Sequence, residues 1–189
     1  MSHQKFTHFM NSFTAAVELH GRAGEKGCFI ESVCLAAAII DGMLRIGLIL
    51  QHQIHTGSDE LLEELLCQSD EDKIVSERAI YQRALGAGVI DPETFDLLRG
   101  LYDKRNRVIH RYIISEITTK EVLFTAIEFD SMVRRVSQAI RKIEARQIEL
   151  GVGMTRQMET RTTIEDLMKM SDRKHGDKGL ADRLREQGT

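Results

Sequence analysis

An arginine, an asparagine, a histidine and a tyrosine lie within the eight residues RNRVIHRY, Arg105 to Tyr112. Histidine titrates near neutrality, so His110 is suited to take or give a proton in general acid–base chemistry. Arginine keeps its charge and matches phosphate oxygens with two parallel N–H donors, so Arg105 is suited to hold a phosphate. Asn106 is placed to orient His110 or to contact the same phosphate. The octet is either a reactive site or the solvated basic end of a helix.

The octet carries a dense positive cluster in a chain whose net charge is −3. Clusters of this kind are usually solvated faces, but they also attract phosphate groups. Because the whole chain is mildly acidic, a nucleic-acid role would depend on this local patch. The members of the cluster are Lys104, Arg105, Arg107, His110 and Arg111.

Arg105 lies in what is otherwise an apolar stripe of its helix. Steps of three and four residues give Phe95, Leu98, Tyr102, Arg105, Ile109 and Tyr112. An arginine directed at a core is costly unless it is paired, so two interpretations remain. Its head reaches solvent over an apolar stem, or it pairs with an acid of the buried second helix. The candidate acids are Glu31 and Asp41, which pair either with Arg105 or with Arg45 of their own helix.

His110 belongs to another side of the same helix. Its spacings from Asp103 and Asn106 are i,i+7 and i,i+4, so these three share a face. Arg105 is turned away from His110 by about 140° on a regular helix. The two side chains therefore converge more easily where two copies of the chain meet than within one copy.

The pattern R-x4-H-x-Y, read as Arg105, His110 and Tyr112 with Asn106 after the arginine, resembles the motif of HEPN domains. More narrowly, it is similar to the HEPN toxins that pair with minimal nucleotidyltransferase antitoxins. The resemblance covers roughly residues 5–150, with the motif late in the penultimate core helix and a long helix after it.

This resemblance implies a metal-independent endoribonuclease, a toxin or defence effector in which the RNA 2′-hydroxyl attacks the adjacent phosphate. Arg105, Asn106 and His110 would be catalytic, and Lys104, Arg107 and Arg111 would bind RNA. Tyr112 matches the tyrosine to which the partner nucleotidyltransferase attaches nucleotides to silence the toxin. The expected partners are a second copy of the chain, RNA and such an antitoxin, and no cofactor or metal is expected. The alternative function is a non-catalytic helical regulator or protein-interaction scaffold of the same fold.

The elements that position the octet are all predicted to be helical. A single proline and an abundance of helix-forming residues favour an all-α chain. Asp91 and Pro92 mark the start of the motif helix, and Thr118 with Glu121 forms a capping box before the last long helix. Three further helices are expected at about residues 4–20, 28–53 and 71–85, with a short acidic helix between the last two and Ser58 and Ser69 as plausible N-caps.

We therefore expect an up-and-down bundle of four to five main helices over residues 1–150. Residues 151–189 are expected to form a polar, partly helical or flexible C-terminal tail. The apolar positions of the last long helix have coiled-coil-like spacing, which fits a seam within the bundle or between two copies. They are Val122, Ala126, Phe129, Val133, Val136, Ile140 and Ile143.

The remaining sequence patterns say less about function. The longest wholly apolar run, Val33 to Ile40, has 8 residues, so no membrane association and a cytoplasmic location are expected.

Cys28, Cys34 and Cys67 have no C-x-x-C spacing and are expected to be buried thiols. His52 and His55 lack clear further ligands, so a fraying helix end is favoured over a metal site. The last long helix also has a basic side that would extend an RNA track or remain a solvated face: Arg134, Arg135, Arg141, Lys142 and Arg146.

Overall fold

The computed structural model describes residues 2–66, 75–156 and 163–175, and these residues form helices and their connections without a strand. The all-α bundle prediction is confirmed. The helices are α1 (Ser2–Glu25), α2 (Phe29–Thr56), α3 (Glu77–Gly86), α4 (Pro92–Arg111), α5 (Thr119–Leu150) and α6 (Ile164–His175). A short 3-10 helix, Glu63–Leu65, follows α2.

The centre of the bundle is α2, which contacts α1, α3, α4 and α5. Its residues are apolar on nearly every side, and Val33, Ile40 and Leu44 are completely buried. A β-carbon built on Gly47 would lie 2.5 Å from a methyl of Val89 and 2.6 Å from Ile140 of α5. Gly47 therefore allows a close approach of α2 to its neighbours that no larger residue permits without movement.

By length and composition alone, α2 is also apolar enough to cross a membrane, although 72% of its most apolar window is buried inside the bundle. A buried core helix of a helical bundle has the same composition. The predicted absence of membrane association and the cytoplasmic location stay predictions.

The predicted caps of α4 and α5 are confirmed. The carboxylate of Asp91 accepts a hydrogen bond from the Thr94 amide at 2.7 Å, with Pro92 in the first turn. Thr118 and Glu121 form the reciprocal capping box at the start of α5. The seam of α5 is buried in the core of this chain, with Phe129 and Val136 about fully enclosed, so it is a seam within the bundle.

Two predictions for the segment after α2 are wrong within the described residues. The expected acidic helix is limited to Glu63–Leu65, and Ser58 caps no helix but bonds to Thr56 and to the Glu60 amide. Val75 and Ser76 are not helical, and α3 begins after them with Ser76 as its N-cap. The predicted cap Ser69 and the stretch from 71 to 74 lie outside the described residues.

The beginning of the C-terminal extension is tied into the bundle. Gln147 of α5 is fully buried and donates to the Leu50 carbonyl at 2.9 Å, while its oxygen accepts from Thr155. Gln53 of α2 accepts from the Met154 amide at 3.0 Å. Further along, α6 packs against α1, where Ser171 bonds to Glu18.

The cysteine prediction is corrected for one residue. Cys28 is exposed, because it lies in the turn between α1 and α2, while Cys34 is half-buried on α2. Cys67 lies outside the described residues.

Candidate active site

The octet occupies the C-terminal end of α4, and the buried side of this helix differs from the predicted stripe. Leu98, Leu101 and Val108 are buried, whereas Ile109 is 41% exposed. The inward line thus passes through Val108, next to the predicted Ile109. The interior of the bundle, formed by α2, α3 and α5, sets which side of α4 is buried, and steps of three and four residues fit either line.

Arg105 remains on the inner side of α4 and is paired. Its guanidinium lies 2.8 Å from the carboxylate of Glu77 on α3, and the two side chains are 20% and 16% exposed. The guanidinium also lies 4.8 Å from the centre of the Tyr102 ring and donates to the side-chain oxygen of Asn106 at 3.1 Å. The interpretation of a paired arginine therefore holds, with a partner other than those proposed.

The expected partners are engaged elsewhere or exposed. Asp41 bonds to Arg45 at 2.6 Å within α2, and Arg45 also donates to two backbone carbonyls beyond α2. Glu31 is exposed at the start of α2. Glu77, the observed partner, was missed because nothing in the sequence links it to a residue 28 positions later.

A buried tyrosine completes the surroundings of Arg105. Tyr81 of α3 is almost completely enclosed and donates its hydroxyl to Glu77. Burial, reinforced by the negative charge of Glu77, raises the pKa of Tyr81, so this phenol stays protonated and acts as a donor. Glu77 is thereby held between a neutral donor and a cation, and it fixes the direction of the Arg105 side chain.

The Nε atom of Arg105 is buried and has no hydrogen-bond partner among the residues that the structure describes. An unpaired buried donor costs about 1–3 kcal/mol, so this atom subtracts from the stability that the ion pair with Glu77 contributes.

A second arginine, which the sequence did not single out, stands beside Arg105. Arg78 of α3 lies 4.5 Å from the centre of the Tyr102 ring and 3.1 Å from the carboxylate of Asp103. Two guanidiniums thus lie within 5 Å of one tyrosine ring, which is a favourable cation–π arrangement. In the sequence, the one local indication of this cluster is the i,i+4 spacing of Glu77 and Tyr81, which places both on the same face of α3.

His110 lies on another side of α4 than Arg105, as its spacing predicted, and this side faces solvent. It is exposed, and within the described residues it makes no hydrogen bond or ion pair. The Asn106 oxygen is taken by Arg105, and Asp103 is taken by Arg78, so neither residue orients His110 in this structure. Nor does a hydrogen bond join Arg105 to His110 in the described chain.

The three predicted RNA-binding cations are all exposed, but their charges are not equally available. Lys104 pairs with Glu128 of α5. Arg107 and Arg111 make no side-chain hydrogen bond or ion pair among the described residues, but Arg107 lies close enough to Glu121 of α5 to help lower the pKa of that carboxyl. Of the two charges, that of Arg111 is the more available to a ligand. Tyr112, which follows them, is half-buried, and its hydroxyl lies 3.0 Å from the Thr119 hydroxyl.

The other candidate groups give less. His52 lies 3.1 Å from Glu60, and the described residues contain no group of three His, Cys, Asp or Glu that could hold a metal. On the basic side of α5, Arg135 is neutralised by Glu93 and Asp91. Arg134 is 15 residues along α5 from its start beside Tyr112, a distance of about 22 Å. This basic side is therefore separate from the octet.

No family model, no curated protein and no solved structure matches the chain. The described residues form an all-α bundle. At the basic end of α4, Arg105 faces the interior and pairs with Glu77, whereas His110 faces solvent and has no hydrogen-bond or ion-pair partner in the described part of the chain.

Proposed function

We propose that this protein is a metal-independent endoribonuclease that works as a homodimer, in keeping with the resemblance of its octet to the HEPN motif. The observation that supports this most directly is the surface of α4 around His110. His110 is exposed and makes no hydrogen bond or ion pair among the described residues. It stands between two exposed arginines: Arg111, which has no acidic partner there, and Arg107, which lies within electrostatic reach of Glu121.

The chemistry needs a proton acceptor, a proton donor and a cation at the phosphate. One His110 removes the proton from the RNA 2′-hydroxyl, whose oxygen attacks phosphorus. The bond from phosphorus to the 5′-oxygen breaks, and the second His110 gives its proton to that leaving oxygen. By the resemblance, Arg105 would balance the negative charge that develops on the phosphate. Because Glu77 already pairs with Arg105, the phosphate would have to compete with that carboxylate. The products are a 2′,3′-cyclic phosphate and a 5′-hydroxyl.

Two copies are required because the side chains diverge within one chain. Arg105 points to α3, while His110 points to solvent. Apolar side chains surround His110: Ile109 is 41% exposed, Ile113 94% and Ile114 80%. Isoleucine is among the most often buried residues, so these three support a contact surface at the end of α4. Two such ends meeting about a two-fold axis bring the two octets together.

The resemblance also bears on regulation. Under this proposal, a nucleotidyltransferase-type antitoxin modifies Tyr112 and silences the enzyme. The Tyr112 hydroxyl is bonded to Thr119, so the modification would remove any hydrogen that Tyr112 donates to Thr119.

The test is a cleavage assay on total RNA and on tRNA, with end analysis of the products. We expect cleavage that survives EDTA, leaves a 2′,3′-cyclic phosphate and is lost in His110→Ala. The matched control is His55→Ala, an exposed histidine at the far end of α2 that should leave cleavage unchanged. Activity restored only by Mg²⁺ or Mn²⁺ would refute the mechanism.

A second candidate function is a non-catalytic helical scaffold, which the Arg105–Glu77 ion pair favours. An arginine that is four-fifths buried and paired is also what a purely structural residue looks like. The scaffold would keep the same dimer surface and show no cleavage of any RNA.

A further inference from the structure

A cavity of about 480 Å³ opens beside the octet, where the turn after α1 and the start of α2 meet the end of α4 and the start of α5. Its size falls in the range of small-molecule sites, about 300–1,000 Å³. The walls are mainly apolar and include two half-buried aromatic rings, with a polar residue on either side: Phe29, Ile30, Tyr112 and Val122, together with Glu31 and Thr119.

Glu31 gives this cavity a specific polar group. Its carboxylate is exposed and has no hydrogen bond or ion pair within the described residues, so both oxygens are available as acceptors. Burial raises the pKa of the nearby Cys34 thiol, Arg105 lowers it and Glu31 raises it. The thiol therefore lies within electrostatic reach of both charges.

The chemistry of the cavity suits a planar ring that carries N–H donors. Aromatic side chains such as Phe29 and Tyr112 offer faces on which a base can stack. A carboxylate such as that of Glu31 accepts hydrogen bonds from an exocyclic amino group, as acidic residues do with cytosine N4.

The distribution of charge determines which part of a nucleotide enters the cavity. The negative charge of Glu31 repels a phosphate from the cavity, whereas the exposed and unneutralised Arg111 beside Tyr112 attracts one outside it. The base would enter and the backbone would stay at the end of α4.

We propose that this cavity binds one unpaired nucleobase of the RNA, with Phe29 and Tyr112 as stacking surfaces and Glu31 as the reader of an amino group. The inference rests on the proposed ribonuclease function, because it places the base next to the phosphate at the octet. It names the substrate class: a single-stranded segment with adenine, cytosine or guanine, rather than uracil, at the cavity. Uracil has no exocyclic amino group, and the one N–H donor on its pairing edge, N3–H, lies between two carbonyl oxygens that the carboxylate repels.

The test measures binding separately from cleavage. Single-stranded 2′-deoxy oligonucleotides cannot be cut by 2′-hydroxyl attack, so homopolymers of A, C and U bases report binding alone. We expect the A and C oligonucleotides to bind more tightly than the U oligonucleotide. Glu31→Gln should remove most of this difference, and Phe29→Ala should weaken every oligonucleotide by about tenfold.

Two further variants keep the result interpretable. Ile30 is 40% exposed, so Ile30→Trp fills the cavity without removing core volume and should block binding as Phe29→Ala does. Glu149→Gln, an exposed acid at the far end of α5, is the matched control and should bind as the wild type does.

The outcomes separate the two proposals. Equal binding of all bases, or binding unchanged in Glu31→Gln, Phe29→Ala and Ile30→Trp, would overturn the base site whether or not RNA is cleaved. Base-selective binding that these variants abolish would support the site, even if the cleavage assay showed no ribonuclease activity and the proposed function had failed.

Discussion

The carboxylate of Glu77 on α3 lies 2.8 Å from the guanidinium of Arg105 on α4, and the two side chains are 16% and 20% exposed. This pair fixes the direction of the one cation of the octet that faces inward. It also makes Arg105 a structural as well as a chemical residue, so stability and activity must be measured together.

Replacing Arg105 by alanine should therefore lower both quantities. The unpaired Glu77 would stay partly buried, at a cost of about 3 kcal/mol in the free energy of unfolding. We also expect the cleavage per folded molecule to be lost. Thermal melts beside a cleavage assay give both readings. Arg78→Ala is the control, because the Arg78–Asp103 pair is 66% and 71% exposed and should contribute no more than about 1 kcal/mol. A destabilised Arg105→Ala that cleaves normally per folded molecule would end the catalytic assignment and favour the scaffold.

The proposed dimer contact at the end of α4 can be tested by introducing charged residues into it. The double variant Ile113→Asp, Ile114→Asp should be monomeric at micromolar concentration, where the wild type is a dimer by light scattering. Its melting temperature in the monomer should change little, because these side chains are 94% and 80% exposed. Ile148→Asp, at a 56% exposed position on α5, should remain dimeric. A monomeric wild type would contradict the composite site.

The close packing of α2 can be tested by replacing two glycines, one in contact with its neighbours and one not, by alanine. Gly47→Ala should lower the free energy of unfolding by about 1–3 kcal/mol, because the added methyl meets Val89 and Ile140. Gly100→Ala in α4 has nothing within 4 Å of the new methyl and should stabilise by about 0.5–1 kcal/mol through helix propensity. Urea unfolding measures both. A stabilising Gly47→Ala would show that α2 does not approach its neighbours as described.

Stability should fall in acid because the helix caps depend on carboxylates. Hydrogen bonds to Thr94 and Thr118 lower the pKa values of Asp91 and Glu121, and a bond to Arg135 lowers the pKa of Glu93. A lowered folded-state pKa contributes stability above the unfolded-state value, near pH ~4, and that contribution is lost as the pH falls through the folded-state value. We expect that these groups cause no change in the melting temperature between pH 7 and 5, and that the melting temperature declines below about pH 4. Asp91→Asn keeps a capping residue and should make the decline shallower. An unchanged slope would assign the acid loss to other groups.

The features predicted correctly from the sequence are local ones. Asp91 caps α4 and Thr118 caps α5 through residues three positions away, so the spacing alone contains the interaction. The face of His110 follows equally from helix periodicity. The side of α4 that is buried could not be fixed in this way, because Val108 and Ile109 are both apolar and only the neighbouring helices choose between them.

The surroundings of Arg105 depend on contacts between distant parts of the chain. Whether it pairs with Glu77, Asp41 or Glu31 is decided by how α3 and α2 pack on α4, which no spacing rule expresses. The same holds for the cavity beside Tyr112, whose walls come from four separate elements.

The network of Gln147, Gln53 and Thr155 has a practical consequence for anyone shortening the chain. A cut after Leu150 would remove the Met154 amide and the Thr155 hydroxyl, and it would leave two amide oxygens near the end of the bundle without these donors. It would also remove Gly153, whose φ of 74° and missing β-carbon let the chain turn back over Gln147. A fragment ending at Arg156 retains the whole network, and it is the shorter form to express when crystals or spectra of the bundle alone are wanted.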